Sequence, residues 1–466
     1  MSNRVRLILG LWLVALGVLA APAAGREPLD IDVFAKVGPP GQPEPVAIGP
    51  DRRVYVGTNQ LGHGDAGAPS RIFAFSSSGK LRREYVIEGQ PLDRSHGIQG
   101  LAFDRDGLLY ALDRSADPRV VVLNPATGNQ RRYATFRDVP SCGFVPGTPG
   151  EDCSDTRFDF PAGPDYATFS RSGELYVTDI DQGLIWKVPK GGGPARIWLT
   201  DARLESLYGP NGSQFMADGR TLLFANTTSN PGAGNSTTGR LYTVAVQPDG
   251  SAGELTQVWE SRLLDAPDGI AIARSGNVYV ALAVANQVLV LSPQFIELAR
   301  APRDAVANLG EEIPLDGPGS LAFLGERLLV SNHSPLLGHP ESWALLDVHA
   351  GETGLPLHHP RIFRPQLRLG ARAVRSTRAV RVRVQVTRHL AALKVPVRGA
   401  TVGARGARAR TNSKGTAILR LRRKVKSPIV VRARKPGFAK AQATIGRAPP
   451  VERQVGVGES LAIDDP

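Results

Sequence analysis

Cysteine is scarce in this chain: Cys142 and Cys153 are the only two among 466 residues. Two thiols do not complete a zinc site, and no histidine lies close to them in sequence, so a cysteine-based metal centre is excluded. Long apolar runs are also missing. The one substantial run, Leu7 to Leu19, has 13 residues, short of the about 20 that cross a bilayer. Acidic residues are absent from a whole region: residues 361 to 447 contain 25 Lys and Arg and no Asp or Glu, against 30 basic and 39 acidic residues in 1 to 360. With 51 Gly and 37 Pro, turns must be frequent, and a helix bundle or coiled coil is excluded.

The length accommodates a large core and a second module, and the opposite charge of the two parts predicts different partners for each. Arg4 and Arg6 precede Leu7 to Leu19, and Ala21, Pro22 and Ala23 follow. This is the pattern of a cleaved export signal over residues 1–23, which predicts a secreted or cell-envelope protein without a membrane span. Neither Cys lies beside Ala21 or Ala23, so lipid modification at the cleavage point is excluded. In an exported chain, Cys142 and Cys153 are expected to form one disulfide closing a Gly- and Pro-rich loop.

A repeat organises the longer part. Segments beginning at Pro43, Ile98, Pro164, Pro210, Pro267 and Pro318 align as strand, turn, strand, and further strand-like runs such as Leu184 to Val188 and Val288 to Leu291 follow. Ile270 and Ile272, then Val278 and Val280 across the turn, show the period of two of half-buried strands. Six units at intervals of 46 to 66 residues predict a six-bladed β-propeller over residues 29–355. Leu29 to Phe34 is expected to supply the outermost strand of the sixth blade, leaving no free sheet edge.

One aligned position lies just inside the start of each innermost strand: Glu44, Gln99, Asp165, Asn211, Asp268 and Gly319. Carboxylate and amide oxygens meeting on a narrow axis repel one another unless a cation lies between them, and a hard divalent ion with oxygen ligands answers that need. Calcium is expected first, with magnesium, manganese and zinc as the other options. Read singly, Asp, Asn and Gly before a strand are turn formers; as an aligned set they predict a site.

Gly209-Pro210-Asn211-Gly212 with Ala217-Asp218-Gly219-Arg220, and Pro267-Asp268-Gly269 with Gly276-Asn277-Val278-Tyr279-Val280, resemble the SMP-30/gluconolactonase/LRE-like propellers. The resemblance spans roughly Pro43 to Gly354. It implies that Glu44, Asn211 and Asp268 hold one divalent metal, that Asp165 contributes to the site or to substrate, and that the reaction is hydrolysis of a lactone or related ester. Asp268 would then be a ligand and the general base. Two positions depart from the family pattern: Asp165 stands where Asn is usual, and Pro43-Glu44-Pro45 lacks the usual Gly-Pro-aromatic continuation.

Long second-to-third-strand segments in blades one, four and six, and the Cys142 to Cys153 loop, are expected to overhang the same face as the ring. Gln99 and His333 are candidate substrate contacts, as are His63 and His96. Two other readings compete with lactone hydrolysis. One is a non-catalytic NHL-like propeller for binding or adhesion. The other is a quinone-dependent oxidoreductase using His96 as base, which lacks an Arg/Lys cluster for the cofactor's carboxylates.

From Gln366 the pattern becomes plain alternation: Val380, Val382, Val384 and Val386 alternate with Arg381, Arg383, Gln385 and Thr387. This predicts a small antiparallel β-sandwich over residues 365–446, with a hairpin turn at Thr411 to Gly415 and a flexible tail at 447–466. Pro396 to Val402, Thr411 to Ala417 and Val431 to Phe438 resemble carboxypeptidase-regulatory-like and bacterial Ig-like domains, which implies no catalytic residues here. The charge of residues 361–447 predicts attachment to an anionic envelope polymer or lipid surface. Without aromatic stacking platforms, specific nucleic-acid recognition is not expected.

Overall fold

The computed structural model describes residues 26–61, 64–140, 160–229, 235–335, 338–363, 366–375, 379–390, 393–422 and 428–446. The export segment, His63, both cysteines and the tail beyond Gly446 lie outside them. The fold is all-β, a six-bladed propeller followed by an antiparallel sandwich.

The innermost strands of the blades are Gln42–Ile48, Gly97–Phe103, Pro164–Phe169, Pro210–Phe215, Pro267–Ile272 and Pro318–Leu324. Each packs beside the next, and the sixth returns to the first, so they enclose an axis. Blade six is completed by Ile31–Lys36, which pairs antiparallel with Ala344–His349. This closing strand lies two residues further along than Leu29 to Phe34. Ion pairs hold the seam: buried Asp347 meets Arg26 at 3.1 Å and Arg327 at 2.6 Å.

The core consists of six apolar wedges between neighbouring blades. An aromatic pair recurs in four of them, formed by a tyrosine of one blade's second strand and the phenylalanine near the end of the next inner strand. Tyr55 meets Phe103, Tyr110 meets Phe169, Tyr176 meets Phe215 and Tyr279 meets Phe323, edge to face at 4.9 to 5.3 Å. Such pairs add about 0.5–1.5 kcal/mol beyond the area they bury.

The inner strands approach so closely that side chains are excluded at several points. A Cβ on Gly212 would lie 2.4 Å from the Asp268 carbonyl oxygen, and one on Gly269 would lie 2.4 Å from that of Gly319. The glycine of each Asn-Gly and Asp-Gly pair is thus required by the backbone of the next blade.

Segment 353–359 crosses the far mouth of the channel. Ala273 bridges Gly354, the Leu355 N–H donates to the Ile272 carbonyl, and the Arg105 N–H donates to Pro360. Beyond it, one sheet of the sandwich holds Arg368–Arg375, Val380–Leu390, Leu393–Pro396 and Thr416–Leu421; the other holds Thr401–Ala404, Ala407–Arg410, Ile429–Arg434 and Ala441–Ile445. The alternating valines face inward against Val402, Leu419 and Val431. Arg361 and Arg388 both reach Asp106, in the turn after the inner strand of blade two.

The expected hairpin at Thr411 to Gly415 is corrected. The turn is present, with Asn412 Oδ1 accepting from the N–H groups of Lys414 and Thr416. The strands it joins, however, belong to different sheets. Thr411 is anchored instead to Val397 and Ala400, so the chain passes over the core and not back along one sheet.

Gly212→Ala and Gly269→Ala are each expected to destabilise the protein by about 1–3 kcal/mol, because backbone must move to admit a methyl group. Gly38→Ala, with open space around it, should melt like the parent. Equal melting temperatures for all three in calorimetry would refute the close-approach account.

Candidate functional site at the propeller axis

In every blade the pairing of inner and second strands slips immediately after the first residues, between Pro43 and Val46, Ile98 and Gly100, Pro164 and Ala167, Pro210 and Ser213, Pro267 and Ile270, and Pro318 and Leu321. A bulge of this kind turns a side chain out of the sheet. Glu44, Gln99, Asp165, Asn211 and Asp268 all sit at these bulges, together with Gly319. The predicted ring positions therefore share one structural device.

Burial and mutual repulsion govern the acids. The Glu44 carboxyl is held well above the ordinary carboxylate range by burial, then by the charges of Asp268 and Asp165. Asp165 is raised likewise, by burial first and Asp268 second. Asp268 is pushed up to about 7 by burial, while the Asn211 side chain and the Gly269 N–H stabilise its charged form. Burial and the neighbouring charges thus favour the protonated form of each acid.

Further contacts complete the site. Glu44 Oε2 lies 3.2 Å from His333 Nε2, and burial lowers the His333 pKa to about 3, leaving the imidazole neutral. Asn59 bonds to Glu44 and donates to Gln99 Oε1 at 3.5 Å. The Asn211 amide donates to Thr227 Oγ1 at 3.2 Å. Asn211 Oδ1 and His333 Nδ1 are buried with no hydrogen-bond partner. Gly319 leaves room at the sixth position, where a Cβ would lie 2.8 Å from Glu44 Oε1 and 2.9 Å from His333 Nδ1.

Glu44, Asp165, Asn211, Asp268 and His333 thus form one interacting set, with Gln99 joined through Asn59. His96 stands apart: its ring nitrogens face the carbonyls of Arg94 at 2.9 Å and Ala68 at 3.0 Å. Both ring nitrogens lie against backbone carbonyls and neither against the ring acids, so His96 is outside the interacting set and gives the quinone reading no base there. His63 and the Cys142 to Cys153 loop lie outside the described residues.

Other residues of the site were not singled out from the sequence. Arg114 pairs with Asp181, and its positive charge favours the ionised forms of Glu44 and Asp165. Tyr166 spans the channel from blade three to Ser320 Oγ of blade six at 2.9 Å, dividing the acidic mouth from a cavity of about 410 Å³ on the far side. Asn59 and Arg114 end the second strands of their blades, opposite the inner-strand starts. That column was visible in the repeat as Asn59, Arg114, Asp179, Asn226 and Asn332.

The donors suit a hard divalent ion: two carboxylates and an unpartnered amide oxygen, buried among like charges. Among the described residues no three His, Cys, Asp or Glu side chains form a metal-binding group. The set Glu44, Asn211 and Asp268 contains only two of those types, and Asp165 and His333 do not complete a cage with them.

Neither a family profile nor a curated protein sequence matches this chain. Solved structures are similar in shape. They include a calcium-binding regucalcin from Agrobacterium tumefaciens at 17% identity, covering 71% of this chain and 99% of that one with a TM-score of 0.48. A gluconolactonase from Xanthomonas campestris shares 15% identity over 71% of this chain and 99% of its own, with a TM-score of 0.42. Virginiamycin B lyase from Staphylococcus aureus shares 14% over 69% and 99%, with a TM-score of 0.44.

Acids with raised pKa values bind protons more tightly when folded, so their contribution to stability is complete below the unfolded pKa and is lost as pH rises through the folded one. The metal-free protein should therefore lose thermal stability as pH rises from about 4 through about 7, the folded value for Asp268. Asp165→Asn should reduce that loss and raise the melting temperature at pH 8. Asp104, also raised to about 7 by burial, keeps a residual slope. Melting curves across this range decide the matter; a variant less stable than the parent at pH 8 would contradict mutual repulsion.

Proposed function

We propose that the protein is a metal-dependent hydrolase of lactones or related esters, exported to the cell envelope and attached to anionic material there by a carboxypeptidase-regulatory-like sandwich. The observation carrying the enzymatic part is the meeting of Glu44, Asp165, Asn211 and Asp268 at one mouth of the channel, with three mutually repelling carboxyls and a free amide oxygen. Arg4, Arg6 and the Leu7 to Leu19 run support export, and among the described residues no helix is long and apolar enough to cross a membrane.

Glu44, Asn211 and Asp268 would hold the ion, calcium before magnesium, manganese or zinc. When bound it would polarise the ester carbonyl and acidify water. The chain's own groups divide the remaining work. Asp268, as carboxylate, accepts a proton. The Glu44–His333 contact shares one proton between two buried groups, fixing the Glu44 carboxyl. Arg114, beside these acids, stabilises the carboxylate released when an ester opens. Tyr166 and Ser320 close the floor, confining the substrate to the mouth.

The long segments between Asn59 and Arg71, Asn226 and Arg240, and Asn332 and Ala344 join second to third strands on this same face. They would form walls that select the lactone. Segment 353–359 and the sandwich lie toward the opposite mouth.

Asp268→Ala and Glu44→Ala should each lower kcat/KM for a simple aldonolactone by about 10²–10⁴-fold. Both should weaken the calcium-induced rise in melting temperature. Calcium stabilisation without turnover on a broad lactone and ester panel would instead support the non-catalytic binding protein.

A further inference from the structure

The sandwich carries arginine on both outer faces, and its strand registers set like charges side by side. In one sheet Arg372 lies directly opposite Arg383, and Arg381 directly opposite Arg420. In the other, Arg410 and Arg434 flank Thr401, while Arg408 and Arg432 flank Gly403. All eight arginines are exposed. On the second sheet Arg408, Arg432 and Arg434 line a groove of about 620 Å³ with Thr401, Gly403 and Lys440.

Like charges directly opposite one another destabilise a sheet, and no carboxylate of the module offsets them. Residues 361 to 447 contain no carboxylate. Among the described residues, only Arg361 and Arg388 of this region form ion pairs, both with Asp106 of the propeller. The arrangement lowers the stability of the free protein and favours an anion from outside.

We propose that the two faces are separate binding surfaces for linear polymers of phosphate groups, so that one sandwich bridges two polymer chains. Alternate residues on a strand are about 6.7 Å apart and neighbouring strands about 4.8 Å, so each face offers a row of sites, which suits a repeating anion. Arginine outnumbers lysine 19 to 6 across residues 361–447, and its planar fork grips phosphate oxygens in pairs. A membrane plane reaches only one face. Phe438 is covered by the Lys435 ammonium, 5.4 Å from the ring centroid, leaving no open platform for stacked bases.

This inference sharpens the attachment reading above and is independent of catalysis. The test mixes the full chain with long-chain inorganic polyphosphate and reads binding and turbidity. Turbidity should peak near charge equivalence, whereas tripolyphosphate should give none. Replacing Arg372, Arg381, Arg383 and Arg420 by Ser, or separately Arg408, Arg410, Arg432 and Arg434, should preserve polyphosphate binding, roughly halve its salt dependence and abolish turbidity.

Both variants should melt at or above the parent temperature in low salt, which separates lost charge from lost fold. Turbidity surviving in either variant, or a lower melting temperature, overturns the two-face arrangement. Tighter binding to phosphatidylglycerol vesicles than to polyphosphate at equal anion concentration overturns the polymer but keeps attachment. Binding to neither overturns both. Tighter binding to duplex DNA than to polyphosphate would replace the proposed partner with nucleic acid.

Discussion

Closure of six strands around a narrow axis is the constraint on which this molecule depends. The strands approach until a single Cβ on Gly212 or Gly269 would overlap neighbouring backbone. At that separation the first side chains of the strands share one small volume. Bulges at the same register in all six blades turn those side chains toward the axis. The acids are thus forced together by the geometry that closes the ring, at a cost in electrostatic repulsion that the apolar wedges between blades offset.

The two mouths of the channel have different fates. One collects Glu44, Asp165 and Asp268 with His333 and Arg114, beneath the long connecting segments. The other is crossed by residues 353–359, which lead to the sandwich, and Asp106 there takes two arginines from the C-terminal region. Tyr166 and Ser320 separate the two ends.

Propeller and sandwich also resolve charge in opposite ways. The propeller pairs many of its carboxylates: Asp113 with Arg119, Asp265 with Arg300, Asp347 with Arg26 and Arg327. The sandwich has no internal carboxylate and spreads its excess over two flat faces. The proposed ligands follow these signs, a compact cation for the propeller and an extended anion for the sandwich.

Much of the fold was legible in the residues alone, because a period of two and a six-fold repeat are local patterns that any closed ring of sheets must obey. The aligned column of Glu44, Gln99, Asp165, Asn211 and Asp268 was legible for the same reason. Contacts made across the ring were not. Nothing in the order of residues places His333 of blade six against Glu44 of blade one, or carries Tyr166 to Ser320. The turn at Asn412 likewise reads as a hairpin in sequence, and only the packing of two sheets makes it a crossing. Residue types and spacings determined which groups face the axis; closure of the ring decided which of them touch, and hence that the acids there hold their protons.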